Sequence, residues 1–383
     1  MDTVDATARF GRPNSAPSAE KRIRALVGFA LAELPVMRHR DGMYCVELHA
    51  DDMHPMGRSI RYSAMVALGL LRARSAGIQV GSEPDDLTEL LFSHIDDPAL
   101  TPGDVGLLLW VDQRARRDRA DHLLAALERS LQVSGGLAAR EGMEVAWIAI
   151  AAAKCVEQGL RGPAERALAS ARAELLARTT SSGLLLHRSI GWRRRFPNFA
   201  TQIYGILALA TLGGLGDQPA LTHARAVGDV ILRLQRADGG WPWLFDALRG
   251  RVADPYEVYA VHQDAMAPMG LFELHEVTGD DRYRAAAVSG LDWIYCQNDL
   301  NVSMLDKDRR ILYRSIRRQR PWDRATLFLN TATSYAGRPL ASSWGGPLEV
   351  NRTDRPYHLG WVLEAWCGRE ELASVRPFQE LAA

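Results

Sequence analysis

The sequence DPYEVYAVHQDAMAPMGLFELHEVTGDDRY, residues 254–283, carries the helix signals on which the fold prediction depends. Its apolar residues recur at helical spacing, and Asp254-Pro255 supplies an N-cap with a proline at the first helical position. Gly279 ends this helix, and Asp280 caps the next one directly. The beginning of this apolar helix is nevertheless crowded with polar side chains. We therefore expect its first turns to line a cavity.

Similar helix signals recur along the chain, whereas strand alternation is scarce. They predict twelve helices, arranged as six consecutive hairpins. The predicted ranges are 17–37, 57–74, 84–97, 104–114, 118–132, 142–157, 163–178, 197–212, 219–236, 256–277, 280–297 and 355–370. One domain is expected over 17–372, with an insertion at 298–354. The segments 1–16 and 373–383 are expected to be flexible tails.

The links between the predicted helices alternate in length. Links within the hairpins are long, as at 38–56 and 179–196, and links from one hairpin to the next are short. The even-numbered helices are also the more apolar ones, and a helix that is apolar nearly all round is a buried one. Both observations predict an all-α (α/α)6 toroid of six helical hairpins with a β-hairpin-bearing insertion. Even helices would form the inner ring, and the long loops would gather at one end, where binding sites are usually built.

Composition excludes some classes of partner. Of the 383 residues, 47% are apolar, and Lys plus Arg balance Asp plus Glu, so no overall charge favours nucleic acid or an anionic membrane. No apolar run is long enough to span a membrane. The four cysteines are scattered and form no zinc-site spacing, which predicts reduced and mostly buried thiols in a cytoplasmic protein. We expect no cofactor and no metal; the oligomeric state stays open.

Several phrases resemble known families. LQRADGGWPW at 234–243 and LFELHEVTGDDRY resemble the α/α-toroid superfamilies, which include six-hairpin glycosidases, sugar epimerases, polysaccharide lyases and terpenoid cyclase or prenyltransferase toroids. HQDAMAPMGLFEL, QNDLNVSMLD and RPYHLGWVLEAW are similar to proteins of bacterial polysaccharide gene clusters. The resemblance implies the toroid architecture and a carbohydrate-active enzyme. It does not specify the reaction, because proteins of one fold can have different activities.

The first turns of the inner helices supply the residues that could carry chemistry. Sugar hydrolysis needs paired carboxylates about 5–10 Å apart, whereas epimerisation or elimination needs a base that removes a proton next to a carboxylate. The candidate acid/base groups are His262, Asp264, Glu257 and Glu144. The candidate substrate contacts are Tyr256, Gln263, Trp241, Tyr357, His358 and Asp52. Acids in a first helical turn are also common capping residues, so a purely structural role is the alternative for each.

The insertion adds a basic cluster. VSMLDKDRRILYRSI is typical of a β-hairpin around Asp306-Lys307-Asp308, and arginines follow it closely. Arg314 and Arg317 are the candidates for binding an anionic group, such as a uronate. A solvated charged loop is the alternative interpretation.

The leading hypothesis is an enzyme that acts by acid/base chemistry on an acidic sugar or polysaccharide, as an epimerase, lyase or hydrolase. One alternative is a terpenoid cyclase-like enzyme, which DDLTE at 85–89 favours only weakly because it lies on a predicted outer helix. The other is a non-catalytic glycan-binding scaffold. The expected partner is a small-molecule or glycan substrate, anionic in view of the arginines, with no nucleic acid.

Overall fold

The computed structural model describes residues 18–319, 322–335, 337 and 346–369. The tails predicted at 1–16 and 373–383 lie outside these residues. Thirteen α-helices are present in the described part of the chain. They are α1 (Ala19–Glu33), α2 (Ile60–Ser75), α3 (Glu83–Phe92), α4 (Pro102–Ala115), α5 (Ala120–Val133), α6 (Gly142–Glu157), α7 (Pro163–Arg178), α8 (Phe199–Gly214), α9 (Gln218–Arg233), α10 (Ala267–Thr278), α11 (Asp281–Ile294), α12 (Trp322–Tyr335) and α13 (Pro356–Trp366).

Six of these helices form a closed inner ring. Each of α2, α4, α6, α8 and α10 packs against the next, and α13 packs against both α10 and α2. The odd-numbered helices α1 to α11 lie outside, each against one or two inner helices. The links from an inner helix to the following outer one are short, such as 215–217 and 279–280, while the long links precede the inner helices. The (α/α)6 toroid predicted from loop length and apolar character is therefore confirmed.

The inner helices approach one another closely where glycines meet. A Cβ on Gly69 of α2 would lie 2.1 Å from the backbone oxygen of Gly360 in α13, and a Cβ on Gly360 would lie 2.8 Å from the backbone oxygen of Met65. No side chain fits at this crossing. The contact closes the ring between the first inner helix and the last one.

Short strands complete the fold at the end where the inner helices begin. They are β1 (Glu47–His49), β2 (Pro55–Met56), β3 (Leu244–Asp246), β4 (Arg251–Asp254), β5 (Val258–Tyr259), β6 (Leu305–Asp306), β7 (Ile311–Leu312), β8 (Ser315–Arg318), β9 (Leu348–Asn351) and β10 (Thr353–Asp354). The orders within the sheets are β10-β1-β2, β3-β4, β5-β8-β9 and β6-β7. The β6-β7 hairpin, with Leu305 opposite Leu312, is the one predicted around Asp306-Lys307-Asp308.

The predicted helix 256–277 is wrong at its beginning. Val258 and Tyr259 form β5, which pairs with β8 of the insertion. The chain then enters a π-helical turn, His262–Met266, before α10 begins at Ala267. The insertion also contains α12, a helix that the prediction omitted.

Aromatic side chains fill the centre of the inner ring. The ring centroids of Trp110 and Trp361 lie 6.0 Å apart, those of Tyr204 and Trp361 6.2 Å apart, and those of Trp147 and Tyr204 5.3 Å apart. These residues come from α4, α13, α8 and α6, and several of these helices are not neighbours in the ring. We call these four residues the aromatic column. It separates the two ends of the toroid.

Cys45, Cys155 and Cys367 are buried and Cys296 is exposed, all as free thiols. None of the helices in the described part of the chain combines the length and apolar character that a membrane crossing requires.

Candidate active site

Buried and half-buried polar and aromatic side chains meet at the end of the toroid where the inner helices begin. They come from α2, from α13, from the segment that contains β5 and the π turn, and from the insertion. We call this group the mouth; its members are Tyr62, Glu257, Tyr259, His262, Arg314 and Tyr357. The rings of Tyr62 and Tyr357 lie 4.6 Å apart, and those of Tyr259 and His262 lie 5.1 Å apart.

Arg314 brings a positive charge into the mouth. The backbone of the insertion fixes its position, because its amide donates to Thr353 O at 2.8 Å and its carbonyl accepts from Ala260 N at 2.9 Å. The guanidinium lies 5.1 Å from the ring centroid of Tyr259. Its Nη1 atom is buried and makes no hydrogen bond within the described protein. Burial opposes its charge, but Tyr357, Tyr259 and Glu257 together raise the pKa of Arg314 above its ordinary value.

His262 is held as a neutral imidazole. Its ring packs 4.8 Å from Phe199, its exposed fraction is 5%, and its buried Nδ1 makes no hydrogen bond to any described residue. Burial lowers the pKa of His262 to about 3, and the charges of Arg314 and His358 act in the same direction. The imidazole is therefore neutral with a nitrogen lone pair available, and an anionic ligand that offsets the Arg314 charge would raise its basicity.

Glu257 lies beside Arg314 and is held by donors from three residues. Ser315 Oγ donates to its Oε1 in a short contact, Tyr259 OH donates to Oε2 at 3.0 Å, and Asn351 Nδ2 lies 3.4 Å from Oε1. These contacts anchor the segment before β5 to the insertion sheet. They also orient the Tyr259 hydroxyl at the mouth.

A second polar cluster borders the toroid axis at the starts of α2, α4 and α6. Arg61 Nε donates to Asp104 Oδ1 at 2.6 Å, and its Nη2 lies 3.4 Å from Glu144 Oε1. Thr101 Oγ1 donates to the same Glu144 oxygen at 2.8 Å. The Arg61 guanidinium lies 5.5 Å from the ring centroid of Trp147, at the outer end of the aromatic column. Glu144 is therefore tied to the neighbouring helices and is only 6% exposed.

Asp264 and His358 form a buried pair behind the mouth. His358 Nε2 donates to Asp264 Oδ1 at 2.7 Å, and Trp366 Nε1 donates to the Asp264 carbonyl oxygen. Asp264 has no exposed surface and His358 has 2%. This pair joins the π turn to α13, the last inner helix.

Gln263 and Trp241 also lie in the protein interior. Gln263 Oε1 accepts from Trp241 N at 2.7 Å, and its Nε2 donates to Tyr259 O at 2.8 Å. The indole of Trp241 donates to Ile231 O at 2.9 Å and has no exposed surface. The two residues join the DGGW turn to the π turn. Their placement favours a structural role.

The remaining predicted contacts lie apart from the mouth. The ring centroid of Tyr256 is 5.1 Å from the Arg318 guanidinium. Arg317 Nε donates to Glu349 Oε1 at 2.8 Å within the insertion sheet. Asp52 is exposed in the α1–α2 link, where it accepts from His54 N at 3.0 Å. The structure thus brings together His262, Glu257, Tyr357 and Arg314, while Arg317 and Asp52 occupy other surfaces.

Sequence reasoning missed Tyr62, which faces Tyr357 across the mouth. The sequence could have indicated it, because Tyr62, like Tyr357, is an aromatic residue in the first turn of an inner helix. In the described part of the chain, no group of His, Cys, Asp and Glu has an arrangement that would hold a metal ion.

The chain has an (α/α)6-toroid fold, which it shares with solved structures of low sequence identity. Cellobiose 2-epimerase from Bacillus thermoamylovorans B4167 superposes with a TM-score of 0.61 at 12% identity, over 90% of this chain and 98% of that one. Unsaturated glucuronyl hydrolase from Bacillus sp. GL1 gives 0.58 at 12% identity, over 94% and 97% of the two chains. A type II terpene cyclase from Scytonema gives 0.50 at 14% identity, over 91% and 96%. No protein-family model and no curated protein matches the chain.

Proposed function

We propose that this protein is a carbohydrate-active enzyme that removes a proton from an acidic sugar. Two buried polar atoms without partners among the described residues carry the proposal, Arg314 Nη1 and His262 Nδ1, and both side chains lie 5.1 Å from the Tyr259 ring. Buried polar groups normally have hydrogen-bond partners, and functional sites are a recurrent exception. The fold is shared with a cellobiose 2-epimerase and an unsaturated glucuronyl hydrolase, which supports a carbohydrate substrate.

Each group has a defined task in the proposed reaction. Arg314 binds the sugar carboxylate, and Tyr62 and Tyr357 contact the ring. His262 removes the proton from the carbon next to the carboxylate, and the electron pair moves into the carboxylate that Arg314 holds. A proton returned to the opposite face gives the epimer. Loss of the leaving group on the adjacent carbon gives an unsaturated sugar. Both outcomes begin with abstraction of this one proton, which distinguishes them from hydrolysis by paired carboxylates. Each also needs an acid, for the opposite face of the ring or for the leaving group, and the hydroxyl groups of Tyr62 and Tyr357 are the candidates.

The polar mouth also separates this proposal from the terpenoid alternative. A cyclase of isoprenoid substrates needs a mostly apolar cavity, whereas the mouth contains Arg314, Glu257 and His262. The acidic sequence DDLTE lies at the beginning of α3, an outer helix, where Asp85 accepts from Arg74 at 2.6 Å and from Arg117 at 2.7 Å. Asp85, which would bind a magnesium diphosphate, thus forms ion pairs with two arginines on the outer surface.

The test is hydrogen exchange at the sugar carbon. The purified protein is incubated with uronate-containing oligosaccharides in D2O, and NMR follows deuterium incorporation, epimer formation and double-bond formation. We expect exchange at the carbon next to the carboxylate. Replacing His262 by Asn should lower its rate by about 10²–10⁴, as expected for loss of a general base. Arg314→Met should weaken substrate binding by about tenfold or more, because charged hydrogen bonds contribute about 1.5–3 kcal/mol.

The matched control is Arg317→Met, which removes an arginine of the same insertion sheet that pairs with Glu349. It should leave the exchange rate unchanged. Binding without any exchange would favour the glycan-binding scaffold. An unchanged rate in His262→Asn would refute the role of His262. Thermal stabilisation by a prenyl diphosphate with magnesium, and by no acidic sugar, would favour the terpenoid alternative.

A further inference from the structure

A cavity lies outside the inner ring, next to the Arg61 cluster. Its volume is about 440 Å³, and it is bounded by the α3–α4 link and the C-terminal half of α5. We call it the outer pocket. Its lining includes Leu100, Thr101, Val105, Ala126, Ser134 and Arg140. This volume is in the range of cavities that bind small molecules, roughly 300–1,000 Å³.

Two of its lining residues each have a buried polar atom with no partner among the described residues. The atoms are Arg140 Nε and Ser134 Oγ. Arg140 does donate through Nη2 to Ser134 O at 3.0 Å, which holds the guanidinium against the end of α5. No carboxylate of the described residues forms an ion pair with Arg140, and the adjacent Glu141 pairs with Arg188 at 2.9 Å instead. A buried donor without an acceptor destabilises the protein by about 1–3 kcal/mol, which an anionic ligand would relieve.

The other charges of the outer pocket are satisfied locally. Asp96 accepts from His122 at 2.9 Å and from Arg129 at 3.1 Å. Asp97 Oδ1 accepts from Ala99 N at 2.9 Å, so it caps its own loop. Arg140 is therefore the charged lining residue whose side chain keeps a hydrogen-bond donor without an acceptor. The lining also includes the apolar residues Leu100, Val105 and Ala126, which suit the carbon frame of a ligand.

The outer pocket is also connected to the polar cluster at the toroid axis. Thr101 lines the pocket, and its hydroxyl accepts from Arg61 Nη2 at 3.0 Å and donates to Glu144 Oε1 at 2.8 Å. Arg140 directly precedes Glu141, the N-cap of α6. A ligand in this pocket would contact the residues that fix the starts of α4 and α6.

We infer that the outer pocket is a second binding site, which takes one sugar acid. Arg140 binds the carboxylate, Ser134 binds a hydroxyl group, and the apolar wall contacts the carbon face of the ring. The site is separate from the mouth. Its existence does not depend on the proposed proton abstraction.

The experiment measures binding of D-glucuronate by titration calorimetry, with D-glucose and sulfate as comparison ligands. The full chain carrying Arg314→Met is used, so that the mouth does not contribute. We expect one site for glucuronate and no measurable binding of glucose. Adding Arg140→Met should weaken glucuronate binding by about tenfold or more. Adding Ser134→Ala should weaken it less, because it removes a neutral hydrogen bond and keeps Arg140. Arg161→Met is the matched control, since Arg161 is exposed in the α6–α7 link and pairs with Glu165 of α7.

Three results would overturn the inference. They are absence of glucuronate binding to the Arg314→Met protein, unchanged binding after Arg140→Met, and equal affinity for sulfate and glucuronate. Circular dichroism and the melting temperature of each variant without ligand verify that it is folded. If Arg314→Met and wild-type protein bind one glucuronate equally, the role proposed for Arg314 fails while the outer pocket stands.

Discussion

His262, Gln263 and Asp264 are consecutive, yet their side chains have three different environments. His262 reaches the mouth, Gln263 bonds to the backbone of Trp241, and Asp264 bonds to His358. The π-helical turn explains the difficulty of predicting this from sequence. It adds a residue to the turn and changes the direction of each side chain relative to an α-helix. Sequence analysis could locate polar residues at the start of an inner helix, but not decide which of them faces the ligand.

The buried imidazole of His262 predicts a pH-dependent stability. Its pKa is lowered to about 3, mainly by burial. In the unfolded chain the group titrates near 6.5, so between these values the unfolded state binds more protons. The stability that the neutral imidazole contributes is therefore present above about pH 6.5 and is lost as the pH falls toward 3. The slope from this one group is at most about 1.4 kcal/mol per pH unit.

Urea unfolding of wild type and His262→Gln at pH 7, 6 and 5 measures this slope. The difference between the two proteins should shrink or change sign as the pH falls. The comparison is needed because Asp354 acts in the opposite direction: burial raises its pKa to about 6, so its protonation favours the folded state as the pH falls from 6 toward 4. Parallel stability curves for the two proteins would show that His262 is not the titrating group.

The buried pair of Asp264 and His358 predicts a loss of stability rather than a specific loss of catalysis. Asp264→Ala leaves the His358 N–H buried without an acceptor, so the free energy of unfolding should fall by about 3 kcal/mol. Asp264→Asn keeps an acceptor oxygen and should cost less. Chemical denaturation checks both variants. A fully stable Asp264→Ala protein without turnover would instead assign Asp264 to the chemistry.

At the scale of elements, local signals predicted most helices, and long-range pairing produced the main error. The caps and loop lengths were sufficient for α4, α6 and α7, whose ends are set by neighbouring residues. Residues 256–259 have helix-compatible spacing, but Val258 and Tyr259 pair with Ile316 and Ser315, almost sixty positions further along the chain. Tertiary context overrides a local pattern in this way. The position of Arg314 depends on the same sheet. The sequence therefore predicts a basic residue in the insertion but not its place in the mouth.

A glycine substitution at the crossing of α2 and α13 should destabilise the protein, whereas one at an open position should stabilise it. In Gly69→Ala the new Cβ would lie 2.1 Å from Gly360 O, so one helix must move. The expected loss is about 1–3 kcal/mol or more. Gly28 of α1 is the control, because nothing lies within 4 Å of a Cβ placed there. Gly28→Ala should stabilise the protein by about 0.5–1 kcal/mol through the lower entropy of the unfolded chain.

Thermal unfolding of both glycine variants checks this prediction. Similar melting temperatures for the two variants would show that the ring does not close through the Gly69–Gly360 contact.

At the scale of the whole molecule, the aromatic column gives the toroid two unequal ends. The mouth lies at the end where inner helices begin. At the other end, a cavity of about 50 Å³ is lined by charged residues such as Arg114, Lys154 and Glu273. Trp110, Trp147, Tyr204 and Trp361 lie between them with at most 3% exposure. A ligand at the mouth therefore contacts a closed floor rather than an open channel.

Because the column joins helices that are not neighbours, its removal should destabilise all the inner helices together. Trp361→Ala would leave a void among α4, α8 and α13, and the free energy of unfolding should fall by about 3–5 kcal/mol. Trp361→Phe should cost less, since it keeps an aromatic ring in the column. Circular dichroism and tryptophan fluorescence should report one coincident transition for each variant. Separate transitions, or equal losses for Ala and Phe, would contradict a column that couples the inner helices across the axis.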